Sequence, residues 1–256
     1  MKKSFWARTG ALALMICTAL SGCSGTPSPV TGAVPALETA SVGETLTAEP
    51  LPEYDEYLID GVPMYCQYPE YPTGCETVST IMLLRFFGYS VSESTFINRY
   101  LPKNNDFYLE DETLYGPDPT RYFVGSPYDV GAWGCMSPVI EKALNNYFAD
   151  CDRYAQAVDL SGKSLDELCR SYVAANIPVL VWATVNMQET YVSITWILPN
   201  GGVCEWLKGE HCLLLVGFTE NCYLFSDPYT GSLASFPKAK TEIAYEALGR
   251  QALTIR

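Results

Sequence analysis

One imidazole serves the whole chain. His211 is the only histidine, so chemistry that needs a group titrating near neutrality converges on a single position. Sixteen residues later comes the dipeptide Asp227-Pro228. Upstream, Cys75 follows the turn-forming run Glu70-Tyr71-Pro72-Thr73-Gly74 and precedes apolar residues at helical spacing, which places its thiol in a first helical turn. Gln67 stands eight residues before it. The order glutamine, cysteine, histidine, aspartate is that of a thiol hydrolase.

The roles follow from the chemistry of each group. Carbonyl attack needs a thiolate, and a free thiol titrating near 8.5 supplies little of it at neutral pH. A helix N-terminus at Cys75 and a protonated His211 are both expected to lower that value. Asp227 would fix the imidazole tautomer, and His211 would return the proton to a leaving amine. The Gln67 side chain, with the Cys75 backbone amide, would hold the oxyanion.

These residues must be positioned by the elements around them. Val78, Ile81, Met82 and Phe86 continue the helix from Cys75 until Gly88 stops it. Further helices are predicted over 92–99, 138–148 (with Pro138 suited to the first helical position), 165–175 and 241–249, with an irregular loop over 102–128. Strands are predicted over 177–185, 191–198, 203–207, 212–218, 222–226 and 232–236. Pro199-Asn200-Gly201-Gly202 makes the first hairpin turn, and Thr219-Glu220-Asn221 the second. Helices first and antiparallel strands second describe an α+β domain. If the second turn centres on residue 219, opposed residue numbers sum to 438 and His211 faces Asp227 directly. An odd error in that register would send the two side chains to opposite faces.

Outside the domain, residues 1–22 carry Lys2, Lys3 and Arg8, an apolar stretch and Ser21-Gly22 before Cys23, the layout of a secretory signal. Leu20-Ser21-Gly22-Cys23 resembles the bacterial lipoprotein box, which implies lipidation of Cys23 and anchoring on the outer face of the cytoplasmic membrane. Residues 23–53, rich in Ser, Thr, Pro and Gly, read as a flexible tether, leaving 54–256 as one domain. Loss of the signal removes three cations and no acid, taking the net charge from −13 to −16. Nucleic acid is thereby disfavoured as a partner; the acidity suits a cationic peptide or protein substrate and equally the mere solubility of an exported protein, and a monomer is expected. No metal or cofactor is required. Besides Cys17, Cys23 and Cys75 there are seven cysteines, an odd number that leaves a disulfide framework and a reduced state both open. Cys204, His211, Cys212 and Cys222 form a weak zinc-ligand set. Glu76 reads as a first-turn acid, Glu110-Asp111-Glu112 as a solvated loop, and the aromatics Tyr122, Phe123, Tyr128 and Trp133 as cleft lining or packing.

Gln67, Gly74-Cys75-Glu76, Gly209-Glu210-His211-Cys212-Leu213-Leu214-Leu215-Val216-Gly217 and Ser226-Asp227-Pro228 together resemble the peptidases related to the bacteriocin double-glycine leader peptidases. Phe123-Val124-Gly125-Ser126-Pro127 and Gly134-Cys135-Met136-Ser137-Pro138 resemble its stand-alone secreted branch. The resemblance implies a papain-like cysteine peptidase fold, with N-terminal helices packed on a C-terminal antiparallel sheet. It implies Cys75 as nucleophile, His211 as base and acid, Asp227 as orienter and Gln67 at the oxyanion hole. Gln67 lies eight residues before the cysteine, where papain-like enzymes more often have about six. Cell-wall peptide hydrolysis and acyl transfer to an amine use the same triad, and a silent binding or adhesion module would keep the fold without the chemistry.

Overall fold

The helix that begins at Cys75 buries ten of its twelve residues, so it is a central helix walled in by its neighbours. The computed structural model describes residues 54–152 and 154–256. The expected signal segment, Cys23 and the tether lie outside the described residues. In chain order the elements are β1 (Tyr57–Leu58), α1 (Cys75–Phe86), α2 (Glu93–Arg99), β2 (Lys103–Asn104), β3 (Tyr108–Glu110), β4 (Thr113–Tyr115), β5 (Phe123–Val124), α3 (Ser137–Cys151) and β6 (Ala157–Asp159). They continue with α4 (Leu165–Ser171), β7 (Val179–Thr184), β8 (Val192–Ile197), β9 (Val203–Leu207), β10 (Glu210–Phe218), β11 (Cys222–Asp227), β12 (Ser232–Pro237), α5 (Lys238–Ala247) and β13 (Ala252–Ile255).

The main sheet runs β12-β11-β10-β7-β13-β6, with β1 added beside the end of β10, and its pairings are antiparallel. Helices cover both faces. On one side Ile81, Met82 and Leu84 of α1 and Val139, Ile140 and Leu144 of α3 pack with Leu180, Trp182, Leu214 and Val216. On the other, Leu165 and Leu168 of α4 and Ala244 and Tyr245 of α5 pack with Val179, Val181, Leu213 and Leu215. Strands covered on both faces read as unbroken apolar runs, which is why β7 and β10 show no alternation in sequence. Helices first and antiparallel strands second, the expected α+β class, is the observed order.

Several expectations are corrected. The 191–198/203–207 hairpin forms, but β8 and β9 join a separate sheet, β3-β4-β8-β9, around Trp196 and Trp206. The loop 102–128 contains the short strands β2 to β5. The helix expected over 165–175 ends at Ser171 and gives way to a 3-10 turn, Val173–Ala175, closed by Asn176 at φ 61°. Strands β6 and β13 were not foreseen, although β13 lies inside the sheet, between β7 and β6. Among the described residues, Cys66, Cys75, Cys135, Cys151, Cys169, Cys204, Cys212 and Cys222 are all free thiols, so no disulfide framework forms.

The register of the β10–β11 hairpin differs from the expected one in an instructive way. Near the turn Phe218 faces Tyr223 and Gly217 faces Leu224, which on its own would put His211 and Asp227 on opposite faces. An irregularity between Leu215 and Gly217 shifts the register, so that Leu215 faces Phe225 and Leu214 faces Ser226. The extra residue, Val216, is a β-bulge. Beyond it opposed numbers sum to 440 instead of 438, an even offset from the expected register. His211 and Asp227 therefore share a face as diagonal neighbours, within reach of long side chains.

Trp182 links the sheet to the segment that covers the helix start, its indole N–H donating to the Cys135 carbonyl at 2.8 Å with the ring fully buried. Trp182→Phe keeps most of the packing and orphans that carbonyl. It is expected to cost about 1–3 kcal/mol in urea unfolding; an unchanged midpoint would show that the bond contributes nothing.

Candidate active site

Gly74 precedes α1 and offers no side-chain cap, so first-turn amides of this helix stay open to an anion. A tight turn delivers the chain to that point. Tyr71 N–H donates to Gln67 O at 2.8 Å and Gly74 N–H to Tyr71 O at 2.9 Å. A Cβ at Gly74 would stand 2.8 Å from Tyr71 Cβ, which explains a glycine here. Gln67 N–H donates to Pro228 O at 2.8 Å, so the stretch before the cysteine is stitched to the residue after Asp227.

At the start of β10, His211 is paired in register with Ala183 of β7. His211 Nε2 and Asp227 Oδ1 are 2.8 Å apart, and each side chain is almost wholly buried. Asp227 Oδ1 also accepts from Tyr229 N–H at 2.9 Å, and the Tyr229 ring meets the imidazole edge-on at 6.1 Å. The carboxylate is thus fixed from two directions, and with it the orientation of the ring.

Cys75 Sγ does not point into this pair. Among the described residues no hydrogen bond joins it to His211. It donates to Glu76 Oε2 at 3.3 Å. Ser79 Oγ donates to the carbonyl of Cys212, the residue after His211, at 3.0 Å and ties α1 to β10. Burial pushes the Cys75 thiol well above its ordinary value; the charges of Glu76 and Glu210 add to that rise, and the Cys212 backbone opposes it. The sulfur is a protonated donor here, opposite to the expected depression. Gln67 is buried, with Nε2 donating to Pro72 O at 2.9 Å while Oε1 has no partner. One of its two amide hydrogens is thereby occupied and the other remains.

The residues that sequence reasoning passed over are the two acids. Glu76, read as a first-turn acid, does stand in the first turn of α1 but is fully buried, and its Oε1 accepts from Cys135 N–H at 2.6 Å. Burial pushes its carboxyl up to about 7 against hydrogen bonds from its own amide and from Cys135. Glu210 is raised well above the ordinary carboxyl range, first by burial and then by the charge of Glu76, and its Oε1 has no partner. Gly134 makes room for both: a Cβ there would lie 2.6 Å from Glu76 Oε1 and 3.0 Å from Glu210 Oε2. Each acid stands directly beside a reactive residue, Glu76 after Cys75 and Glu210 before His211, and that was the available signal.

Ligand-atom geometry for a metal narrows to the same place. Among the described residues only Cys75, Glu76 and Glu210 bring three donor atoms within 4.8 Å of one another. Both Glu76 oxygens already accept hydrogens, from Cys75 and Cys135, which marks a hydrogen-bonded cluster. The weak zinc set Cys204, His211, Cys212, Cys222 is not assembled; Cys204 packs instead with Trp196 and Trp206. A cleft of about 350 Å³, lined by Trp133, Ser193, Trp206, Lys208 and Gly209 among others, reaches Glu210. Of the aromatic loop, Trp133 lines this cleft, Phe123 belongs to the core, and the partly exposed Tyr128 rests on Tyr71. Glu110, Asp111 and Glu112 are exposed, as expected.

The model of the Peptidase_C39 like family matches residues 59–253. YvpB of Bacillus subtilis strain 168, itself uncharacterised, is 28% identical over 188 residues, covering 73% of this chain and 71% of YvpB. The crystal structure of a protein described as a C39-like peptidase from Bacillus anthracis superposes with a TM-score of 0.68 at 27% identity, over 79% of this chain and 98% of that one. The expected family is borne out by these matches, and the expected α+β class by the C39-like structure.

Gly134 sits at φ +128°, where an L side chain is strained, and the acids occupy the space a Cβ would take. Gly134→Ala is expected to destabilise the protein by about 1–3 kcal/mol from backbone strain alone. Chemical denaturation checks this; a loss below about 0.5 kcal/mol would show that the cluster yields freely.

Proposed function

We propose, from the premise that the chain belongs to the Peptidase_C39 like family, that it is a cysteine peptidase working through Cys75, His211 and Asp227 from an anchored position outside the cell. Family membership points to cysteine peptidase activity. The triad reading is carried by one observation: the buried His211–Asp227 pair at 2.8 Å lies next to Cys212, whose carbonyl is bonded at 3.0 Å by Ser79 of the helix that begins at Cys75. The reaction requires the Cys75 sulfur to leave Glu76 and meet the imidazole.

In that arrangement His211 takes the thiol proton and the sulfur attacks the peptide carbonyl, forming an S–C bond and an oxyanion. The open amide of Cys75 and the second Gln67 amide hydrogen are placed to receive that oxyanion. Collapse expels the amine, which leaves with the proton from His211, and the acyl-enzyme remains. Water, deprotonated by the same imidazole, then releases the acid and restores the thiol. Asp227 holds the ring in one tautomer throughout. The net charge of −13 favours a cationic peptide or protein as substrate. The lipoprotein-like run ending at Cys23 supports anchoring through lipid on that residue.

Hydrolysis of a fluorogenic peptide library, with products read by mass spectrometry, tests the reading. Cys75→Ala is expected to abolish turnover, and His211→Ala to lower kcat/KM by about 10²–10⁴-fold, both with unchanged far-UV circular dichroism. Full activity in Cys75→Ala would end the proposal. In cells, Cys23→Ser is expected to remove incorporation of labelled fatty acid and free the protein from the membrane fraction; continued labelling would place the anchor elsewhere.

A further inference from the structure

Glu76 and Glu210 have no part in the reaction as derived, yet each brings a carboxyl oxygen within 4.8 Å of the sulfur. Cys75 Sγ donates to Glu76 Oε2 at 3.3 Å, and the other Glu76 oxygen is pinned by Cys135 N–H at 2.6 Å. Glu210 lies within 4.8 Å of both, with one buried oxygen lacking a partner. Two carboxyls this close, one fully buried and the other half-buried with one enclosed oxygen, do not readily both ionise without a compensating charge. Hydrogen bonding decides which of them holds the proton. Glu76 accepts two hydrogens and is the ionised member, whereas Glu210, which accepts none at Oε1, is the protonated one.

We propose that Glu76 is a positioning residue that restrains Cys75: its carboxylate accepts the thiol hydrogen, keeps the sulfur protonated and turned from His211, and releases it when Glu76 is itself protonated. Glu210 completes the device by carrying the pair's proton. The inference rests on the reading of Cys75 as the reactive group. The sign follows from charge. With Glu76 ionised, thiolate formation places two negative charges side by side in an apolar site and is opposed. With Glu76 protonated the opposing charge vanishes and Oε2, the oxygen not pinned by Cys135, becomes an O–H that no longer holds the thiol as a charged acceptor, so the sulfur is free to turn. Because burial holds the Glu76 carboxyl near 7, release is expected on acidification through neutrality.

The other groups facing the sulfur do not reproduce this behaviour. Cys135 and Cys212 are pushed well up by burial and then by the two acids, so they stay neutral. The Tyr68 hydroxyl, near enough to be influenced by Cys75, is raised above 10 by burial. Lys208 stands along the cleft beside Glu210.

The rate of iodoacetamide alkylation at Cys75, followed by peptide mass spectrometry from pH 5 to 9, reads the thiol whether or not the chain cleaves peptides. Glu76→Gln keeps an acceptor for Cys135 N–H and turns an N–H toward the sulfur. It is expected to label about tenfold faster than wild type at pH 8.5, one pKa unit's worth of thiolate. The ratio is expected to fall to about one below pH 5.5, with a midpoint near 7. His211 is common to both proteins and divides out of that ratio. Glu210→Gln, which mimics the protonated partner and keeps Glu76, is expected to retain the wild-type pH profile, and it serves if Glu76→Gln does not fold: labelling about tenfold faster than wild type at pH 8.5 would show that Glu210 and not Glu76 restrains the sulfur. A ratio below one throughout would make Glu76 an activating base and overturn the proposal. So would a ratio independent of pH, or wild-type labelling that accelerates with EDTA, which would put a cation between the acids. Failure of the peptidase reading has a separate signature: labelling indifferent to His211→Ala while the Glu76 ratio persists.

Discussion

Strand β10 is pinned on every side, and the site depends on that. Eight of its nine residues are buried, hydrogen-bonded neighbours flank it, and alternate side chains enter two different cores. A slip by one residue would exchange those cores, sending Leu213 where Leu214 belongs, so the register is fixed by packing. The strand begins with Glu210, His211 and Cys212. A carboxyl, an imidazole and the Cys212 carbonyl are therefore delivered as a rigid unit, with Ser79 locking α1 against that carbonyl.

That packing also sets the electrostatics. A helix N-terminus stabilises an anion by typically about 0.3–1 kcal/mol, about 2 in favourable cases. Full burial of an ionisable group opposes its charged form by as much as about 4–7 kcal/mol. For Cys75, which is both at a helix start and enclosed, burial wins, and two acidic neighbours push in the same direction. The apolar shell that makes the scaffold rigid is thus the reason the resting sulfur is a thiol.

Where an element's identity is local, the chain reads well; where it is set by neighbours, it does not. The helix at Cys75, the Ser92 cap of α2 and the Gly201 turn carry their own signals and appear where expected. Strands β6 and β13 carry none, because three or four residues acquire strand character only by docking against each other and β7. The same distinction holds at the site. The His211–Asp227 pair was legible because both residues sit on one hairpin. The Glu76–Glu210 pair joins a helix to a strand across more than a hundred residues, under a glycine from a third segment, and no local pattern announces such a meeting.

The bulge at Val216 also sorts the hairpin into two independent halves. On the site side, β10 is held by β7 through residues 210–215, and Asp227 is held by Ser232 of β12. Neither hold involves the tip. Around the exposed Glu220 the ribbon keeps its own count, and the bulge reconciles that count with the one below it. The tip is therefore an insertion port: a fluorophore-bearing loop or an affinity sequence added there would lengthen the ribbon outward and leave the imidazole and its carboxylate undisturbed.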